Sequence, residues 1–174
     1  MLAIVTLVLA LTLTTSSQPV GSLTPQVKYM HPSTDSISCT VSKPCTFDQY
    51  ANDSKWHFCS NTTFIFLPGD HQLHSSISLH GTHNISFRGK LTEGPVTIRL
   101  GPQIGLNFSN CSGIKISSLN FLLSGDYEYR LMFYNTVSVN LQSIVISIED
   151  EDSTGNSAIL SQETMMNISD SGFI

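Results

Sequence analysis

The chain has 174 residues, of which 40% are hydrophobic and only 12% are charged, and its net charge is −5. Coiled coils need abundant charged helix formers, and disordered acidic tails need few apolar residues, so this composition excludes both classes. An isoelectric point near 5.5 leaves no basic footprint, which argues against nucleic-acid binding. The length is that of one domain of ordinary size.

The chain opens on an apolar run over residues 2–13, and no charged side chain follows until Lys28. A run this short fits the apolar region of a signal peptide, because a transmembrane helix needs about 20 apolar residues. We therefore predict a signal peptide over residues 1–18 and a secreted, extracellular chain with no stable membrane span after cleavage. The alternative is a protein anchored at the cell surface through an uncleaved N-terminal segment.

Six Asn-x-Ser/Thr sequons support the secretory route, because this tripeptide is the acceptor for N-linked glycans. Five of them are predicted to carry glycans: Asn52, Asn61, Asn84, Asn107 and Asn167. The sixth sequon, at Asn110, lies too close to Asn107 for both to be glycosylated easily.

Four cysteines, Cys39, Cys45, Cys59 and Cys111, allow three disulfide connectivities. We predict one disulfide among the first three, with the pair Cys45 and Cys59 preferred. Cys111 stands alone, and it is either a buried thiol or the partner of a cysteine beyond residue 174. The absence of a CxxC motif and of paired Cys/His spacing argues against a structural zinc site.

Residues 19–44 contain several prolines and many Ser and Thr residues, which predicts an irregular lead-in. Residues 45–60 are predicted to form a short N-terminal capping helix and a loop. Thr46 provides an N-cap, and Gln49 follows three residues later, as in a capping box.

From residue 61 onward the chain is a series of short β-branched and aromatic runs, the first of which is stopped by the turn pair Pro68 and Gly69. The further predicted strands cover 77–79, 84–88, 96–100, 106–109, 114–117, 119–123, 131–134 and 137–148. No window in this region shows a convincing helical period, so the predicted class is all-β.

The strands repeat. Core positions match at an offset of 25 residues in six pairs: Phe108/Phe133, Asn110/Asn135, Ile114/Val139, Ile116/Leu141, Leu119/Ile144 and Phe121/Ile146. An offset of 29 leads back to Leu79, Ile85 and Phe87, and an offset of 27 leads forward to Leu160, Met166, Ile168 and Phe173. A period in the twenties built from strands predicts a solenoid in which stacked coils pair their strands in parallel.

The matching residues Asn110 and Asn135 are predicted to lie at a turn that ends a strand. Asn tolerates the left-handed backbone conformation of such turns, and stacked Asn side chains form hydrogen-bonded ladders. A place in this ladder is the second reason to predict an unoccupied sequon at Asn110.

The stretch FIFLPGDHQLHSSISLHGTHNISFRGK followed by VTIRL resembles the opening of right-handed parallel β-helix proteins of the pectin-lyase-like superfamily. With CTFDQYA before NTTFIFLPG, the chain also resembles secreted β-helix repeat proteins of simple animals. The resemblance implies a right-handed parallel β-helix of about four coils over residues 61–174, preceded by a short capping helix. It also implies membership in a superfamily of polysaccharide lyases, galacturonan hydrolases and pectin esterases.

The hydrolase motifs of that superfamily are absent from this sequence. Glycoside hydrolysis needs two carboxylates on either side of one sugar bond. Asp126 and Glu128 are an i, i+2 pair, but they are predicted to lie in a solvated turn, SGDYEY. The acidic run at residues 149–152 is interpreted as an exposed loop, with calcium binding as the alternative.

Four histidines, His71, His74, His80 and His83, have the spacing HxxH twice. In strands this spacing places side chains on opposite faces, so they are interpreted as exposed polar residues rather than metal ligands. No catalytic, metal-binding or cofactor-binding residue is therefore predicted. The loop residues Tyr127 and Tyr129 are the predicted recognition surface, because aromatic rings stack on sugars.

We predict a secreted, glycosylated β-helix module for extracellular recognition or scaffolding, without catalytic activity in this segment. Its expected partner is an extracellular glycan or protein, and no nucleic acid. The alternative is the N-terminal part of a polysaccharide-active lyase or hydrolase. The chain ends at Ile174 in mid-repeat with no polar cap, so we expect a C-terminal truncation.

Overall fold

The computed structural model describes residues 24–34, 36, 38–52, 60–125, 130–149 and 158–173. A first strand, β1 (Gln26–Met30), and a short helix, α1 (Phe47–Asn52), precede the repeating part. The first coil consists of β2 (Thr62–Phe66), β3 (Gly69–Leu73) and β4 (Ile77–His80), and the second of β5 (Ile85–Gly89), β6 (Val96–Leu100) and β7 (Leu106–Ser109).

The third coil consists of β8 (Lys115–Ser117), β9 (Asn120–Leu123) and β10 (Leu131–Tyr134), and the fourth of β11 (Val139–Gln142), β12 (Val145–Ile148) and β13 (Ile159–Gln162). The strands β14 (Met166–Ser169) and β15 (Gly172–Phe173) follow.

Three parallel sheets run along the stack. Sheet A has the order β1-β2-β5-β8-β11-β14, sheet B the order β15-β12-β9-β6-β3, and sheet C the order β13-β10-β7-β4. Each strand inside a sheet pairs with the corresponding strand of the coil before it and of the coil after it. The chain is therefore a parallel β-solenoid of about four turns with one short helix near its N-terminus, as the repeat predicts.

Aromatic side chains stack inside the solenoid because alternate residues of each strand point inward. Phe64 and Phe87, neighbours in sheet A, stack with ring centroids 5.2 Å apart. Phe108 and Phe133, neighbours in sheet C, stack at 4.9 Å and nearly parallel, at 6°. Each such contact contributes about 0.5–1.5 kcal/mol beyond the burial of apolar area.

The predicted register is confirmed over the first three coils and fails at one residue of the fourth. Phe133 pairs with Phe108, and Phe108 with Leu79, as the offsets of 25 and 29 require. The match to Leu160 is wrong, because Phe133 pairs with Ser161. The turn after β13 is one residue shorter than the turn after β10. Relative to the prediction, β13 is therefore shifted by one residue, which exchanges its predicted inward and outward positions.

Residues in the left-handed conformation occupy the same corners in successive coils. One column consists of Asn61, Asn84, Gly113 and Ser138, a second of Gly81, Asn110, Asn135 and Glu163, and a third of Ser118, Ser143 and Asp170. The predicted ladder is present, because Asn135 Nδ2 donates to Asn110 Oδ1 at 2.6 Å. Gly113 has the left-handed φ of the column, +66°, and a Cβ there would lie 2.6 Å from Asn84 Oδ1, so a larger residue at this position would displace the Asn84 side chain.

Buried hydroxyl groups form another column at the corner between sheets C and A. Thr136 Oγ1 lies within hydrogen-bond distance of the Tyr134 carbonyl two residues back and of the Phe108 carbonyl in the preceding coil, at 3.0 and 3.2 Å. Thr164 repeats this arrangement one coil on. Cys111 occupies the same position with its thiol. The thiol is free and buried, which agrees with the first of the two states predicted for this cysteine.

The helix covers the N-terminal mouth of the solenoid. Thr46 Oγ1 accepts a hydrogen bond from the Gln49 amide at 3.2 Å, which confirms the predicted N-cap. Phe47 packs edge-on against Phe66 at 4.9 Å and against Phe87 at 5.8 Å. The open core of the first coil is thereby closed by an aromatic side chain.

The segment 19–44 is not wholly irregular, since it contains β1, which pairs along β2. The preferred disulfide is also wrong, because Cys45 bonds to Cys39. Both cysteines hydrogen-bond to the backbone of Tyr29, and their Cα atoms lie 4.6 Å apart. Cys59 lies outside the described residues.

Arg130 is a buried cation that the sequence reasoning missed. Its side chain is 2% exposed, and its guanidinium donates hydrogen bonds to the backbone carbonyls of Gly101, Ile104, Ser124 and Gly125. It therefore ties together the loops that connect sheets B and C in two successive coils.

We predict that Arg130→Met lowers the free energy of unfolding by about 3 kcal/mol or more, because several buried carbonyls lose a charged donor. Urea denaturation measures this loss. Arg99→Met, at an exposed site, is the control and should change stability little. A loss below about 1 kcal/mol for Arg130→Met would contradict the assigned role.

We predict that Thr136→Val costs about 1–2 kcal/mol, since the two buried carbonyls lose the single hydroxyl hydrogen that they share. Cys111→Val should cost clearly less, because a thiol is a weak donor, and Cys111→Thr should be tolerated. Thermal or urea unfolding of the three variants tests the column. Equal losses for the two valine variants would show that the shared position has no hydrogen-bonding role.

Candidate functional site

An open groove of about 550 Å³ lies on the outer face of sheet A, at its N-terminal end. A row of outward-facing residues on three adjacent strands forms its floor: Tyr29 on β1 pairs with Ile65 on β2, and Ile65 pairs with Arg88 on β5. Parallel pairing spaces these residues by about 4.8 Å. Tyr29 and Ile65 thus place apolar area on a face that is otherwise polar in the central coils.

The first wall of the groove is the loop closed by the Cys39–Cys45 disulfide, which brings Val41 to the rim. The loop is held along β1, since the Tyr29 amide donates to the Cys39 carbonyl at 3.0 Å and the Cys45 amide donates to the Tyr29 carbonyl at 3.1 Å. Val41 is 71% exposed despite being apolar.

The second wall is the 3-10 turn Leu91–Glu93, which leaves the sheet directly after β5. Leu91 is 60% exposed and lines the groove together with Lys90 and Thr92. Two coils pack closely at the point where this turn leaves the sheet, because a Cβ at Gly89 would lie 1.9 Å from the carbonyl oxygen of Ser118. Any larger residue at position 89 would push the second and third coils apart.

The groove carries positive charge in a chain that is acidic overall. Arg88 is exposed, and its guanidinium forms no hydrogen bond or ion pair with another of the described residues. Lys90 Nζ lies 3.6 Å from Glu93 Oε1, so its charge is shared. Lys115, on the next strand of sheet A, adds a further exposed cation beside the groove.

The outer face of sheet B has the opposite character. Arg99 is held there between Asp70, whose Oδ2 lies 2.9 Å from its Nη2, and Glu149, whose Oε1 lies 3.2 Å from its Nη1. The hydrogen bond that Arg99 donates to Asp70, with the charges of Asp70 and Glu149, raises the pKa of Arg99 above its ordinary value. Arg99 is thus paired with protein carboxylates, whereas Arg88 is open to a ligand.

Several candidate residues lie outside the described residues: Tyr127, Tyr129, Asp126, Glu128 and residues 150–152. Tyr127 and Tyr129 therefore remain a predicted recognition surface. Of the acidic run, only Glu149 is described, and it belongs to the Arg99 cluster.

The predicted glycan acceptors have different surroundings. Asn52 and Asn167 are exposed, on α1 and β14. Asn61 and Asn84 belong to a corner ladder, in which Asn84 Nδ2 donates to Asn61 Oδ1 at 3.0 Å. Asn107 is half-buried, and its Nδ2 lies 3.4 Å from Ser78 Oγ. Glycosylation at these five positions stays a prediction.

The four histidines are not all exposed. His71 is buried in β3 with Nε2 2.8 Å from the Leu67 carbonyl oxygen, and burial lowers its pKa. His74 pairs with Asp48 of α1 at 3.2 Å. His80 and His83 each bond a serine hydroxyl one coil on, Ser109 and Ser112.

Within the described ranges, no three His, Cys, Asp or Glu residues lie close enough together to hold a metal ion. Nor does that part of the chain contain a helix long and apolar enough to cross a membrane. Comparisons with protein-family models, with curated proteins and with solved structures find no match. The site is accordingly argued from its own geometry.

The sequence reasoning missed the groove residues Tyr29, Ile65, Arg88 and Leu91. One signal for them was present. Ile65 occupies the outward position between Phe64 and Phe66 in β2, and Arg88 occupies the outward position between the buried residues Phe87 and Gly89 in β5. An apolar residue at an outward strand position, next to a cation in the following coil, marks a surface for binding.

We predict that replacing both Cys39 and Cys45 by serine loosens the groove wall and leaves the solenoid intact. The closed loop is short, so the loss of stability should be about 2 kcal/mol. Amide hydrogen exchange should accelerate over residues 40–43 and stay slow in β5 and β8. Fast exchange throughout sheet A would contradict a purely local role for the disulfide.

Proposed function

We propose that the chain is an extracellular recognition module that binds its ligand in the groove on sheet A. The observation that carries the proposal is Arg88, a cation on the groove floor whose guanidinium has no hydrogen-bond acceptor among the described residues. Its neighbours Tyr29 and Ile65 give the same surface apolar area that water hydrates poorly. Convergent apolar and charged groups in a concave site are typical of ligand binding.

The proposal is of binding rather than catalysis. Glycoside hydrolysis needs two carboxylates about 5–10 Å apart across the sugar bond. Of the described acidic residues, Glu93 alone belongs to the turn that forms a groove wall, and it is paired with Lys90. The alternative, the N-terminal part of a polysaccharide-active enzyme, would require catalytic carboxylates elsewhere in the protein.

Three features support the extracellular part of the proposal. The apolar N-terminal run has the length of a signal peptide, and six sequons follow it. The Cys39–Cys45 disulfide is of the kind that persists in oxidising compartments. We propose that the chain is secreted and glycosylated, and that its partner is an extracellular glycan, protein or small molecule.

The test is a binding panel of extracellular polysaccharides, matrix proteins and organic acids, probed with protein secreted from eukaryotic cells under its own leader. We expect a ligand whose affinity falls about tenfold or more for Arg88→Gln, because a charge-assisted hydrogen bond is lost. Mass analysis of the bound polysaccharides should reveal no product.

Arg99→Gln is the matched control, since it removes an arginine from the outer face of another sheet, and it should bind like the wild type. N-terminal sequencing of the secreted protein checks the leader, with a start near residue 19 expected. Equal binding by Arg88→Gln and wild type, or turnover of any polysaccharide, would contradict the proposal.

A further inference from the structure

We propose that the groove takes an amphiphilic anion, a ligand with an apolar body and one carboxylate, sulfate or sulfonate group. This inference rests on the proposed function, because it names the ligand class of the same groove. It is based on the juxtaposition of exposed aliphatic walls with an arginine on the floor whose guanidinium has no acceptor among the described residues.

The walls select an apolar body. Val41 and Leu91 are among the most exposed large hydrophobic residues described, at 71% and 60%, and both line the groove. Ile65 and the ring of Tyr29 continue the apolar surface across the floor. Covering such area contributes about 25 cal/mol per Å², so an apolar ligand is driven into the groove by the hydrophobic effect.

The charges select one negative group. Arg88 and Lys90 bring two positive charges to the groove, and Glu93 at 3.6 Å from Lys90 neutralises one of them. Lys115 lies beside the groove and is not part of its lining, so one negative group balances the charge that remains within the groove. Arginine binds carboxylate and sulfate-like groups through two parallel N–H donors, which favours Arg88 as the anchor.

An extended peptide fits less well, because the backbone around the floor is already hydrogen-bonded. β2 lies between β1 and β5, and β5 lies between β2 and β8, so neither offers a free edge for strand addition. Along β1, the backbone of Tyr29 is occupied by Cys39 and Cys45.

A polysaccharide also fits less well. The groove has one aromatic ring for stacking on sugars, and its polar side chains besides the Tyr29 hydroxyl are Arg88, Lys90, Thr92 and Ser118, whereas a sugar chain presents many hydroxyl groups that need partners. Its volume of about 550 Å³ is that of a small-molecule site rather than of a long cleft.

The experiment compares two fluorescent probes that share an apolar body. One is 8-anilinonaphthalene-1-sulfonate, and the other is its uncharged counterpart, N-phenyl-1-naphthylamine. We expect saturable binding of the sulfonate at one site, with about tenfold or higher affinity than the uncharged probe. Arg88→Gln should remove this difference without changing the affinity for the uncharged probe, and Arg88→Lys should restore part of it.

Leu91→Ser should weaken the binding of both probes, and Arg99→Gln should weaken the binding of neither. Circular dichroism and the unfolding midpoint confirm that each variant is folded. Equal affinity for the two probes, or sulfonate binding that is independent of Arg88, would overturn the inference. Arg88-dependent binding of an acidic oligosaccharide or acidic peptide without binding of either probe would also overturn it, while leaving the proposed function standing.

Discussion

The in-register stacking of one coil on the next is the constraint on which the rest of this molecule depends. In each strand, alternate residues point into the core, so a slip of one residue would exchange Phe64 and Phe87 for Ile65 and Arg88. The same pairing that stacks the phenylalanines inside therefore places Tyr29, Ile65 and Arg88 side by side outside. The same strand register therefore determines both the packing of the core and the composition of the groove.

The corners hold this register although the coils differ in length. Asn110 and Asn135 bond to each other 25 residues apart, whereas His80 and Ser109 bond 29 residues apart. Extra residues are placed in the loops between sheets, and the left-handed corners return each coil to the same position. Arg130 acts between two successive loops that connect sheets B and C, by donating to carbonyls that lie outside the strands.

Much of the fold follows from local pattern. The alternation in β6, β7 and β10 predicts those strands with their observed bounds, and Thr46 with Gln49 predicts the start of α1. The repeat predicts parallel coils, because a single coil cannot bury its own apolar face. These features depend on residues close together in sequence or on matches between similar segments.

The remaining features depend on contacts that no local pattern contains. β1 is a strand because β2 offers it a free edge, and Cys45 bonds to Cys39 because both are held beside Tyr29. The shift at Leu160 follows from the loss of one residue in a turn. The groove joins residues from β1, the disulfide loop, three coils and a 3-10 turn, so its parts lie too far apart in sequence to be recognised as one site.

The most direct test of this account is a methyl NMR titration with 8-anilinonaphthalene-1-sulfonate. Val41, Ile65 and Leu91 line the groove, whereas Val137 and Ile148 are exposed elsewhere on the solenoid. The account predicts saturable shifts at the methyl groups of the first three residues and unchanged signals at the other two. Shifts at Val137 and Ile148 of equal size, or unchanged signals at Ile65 and Leu91, would contradict it.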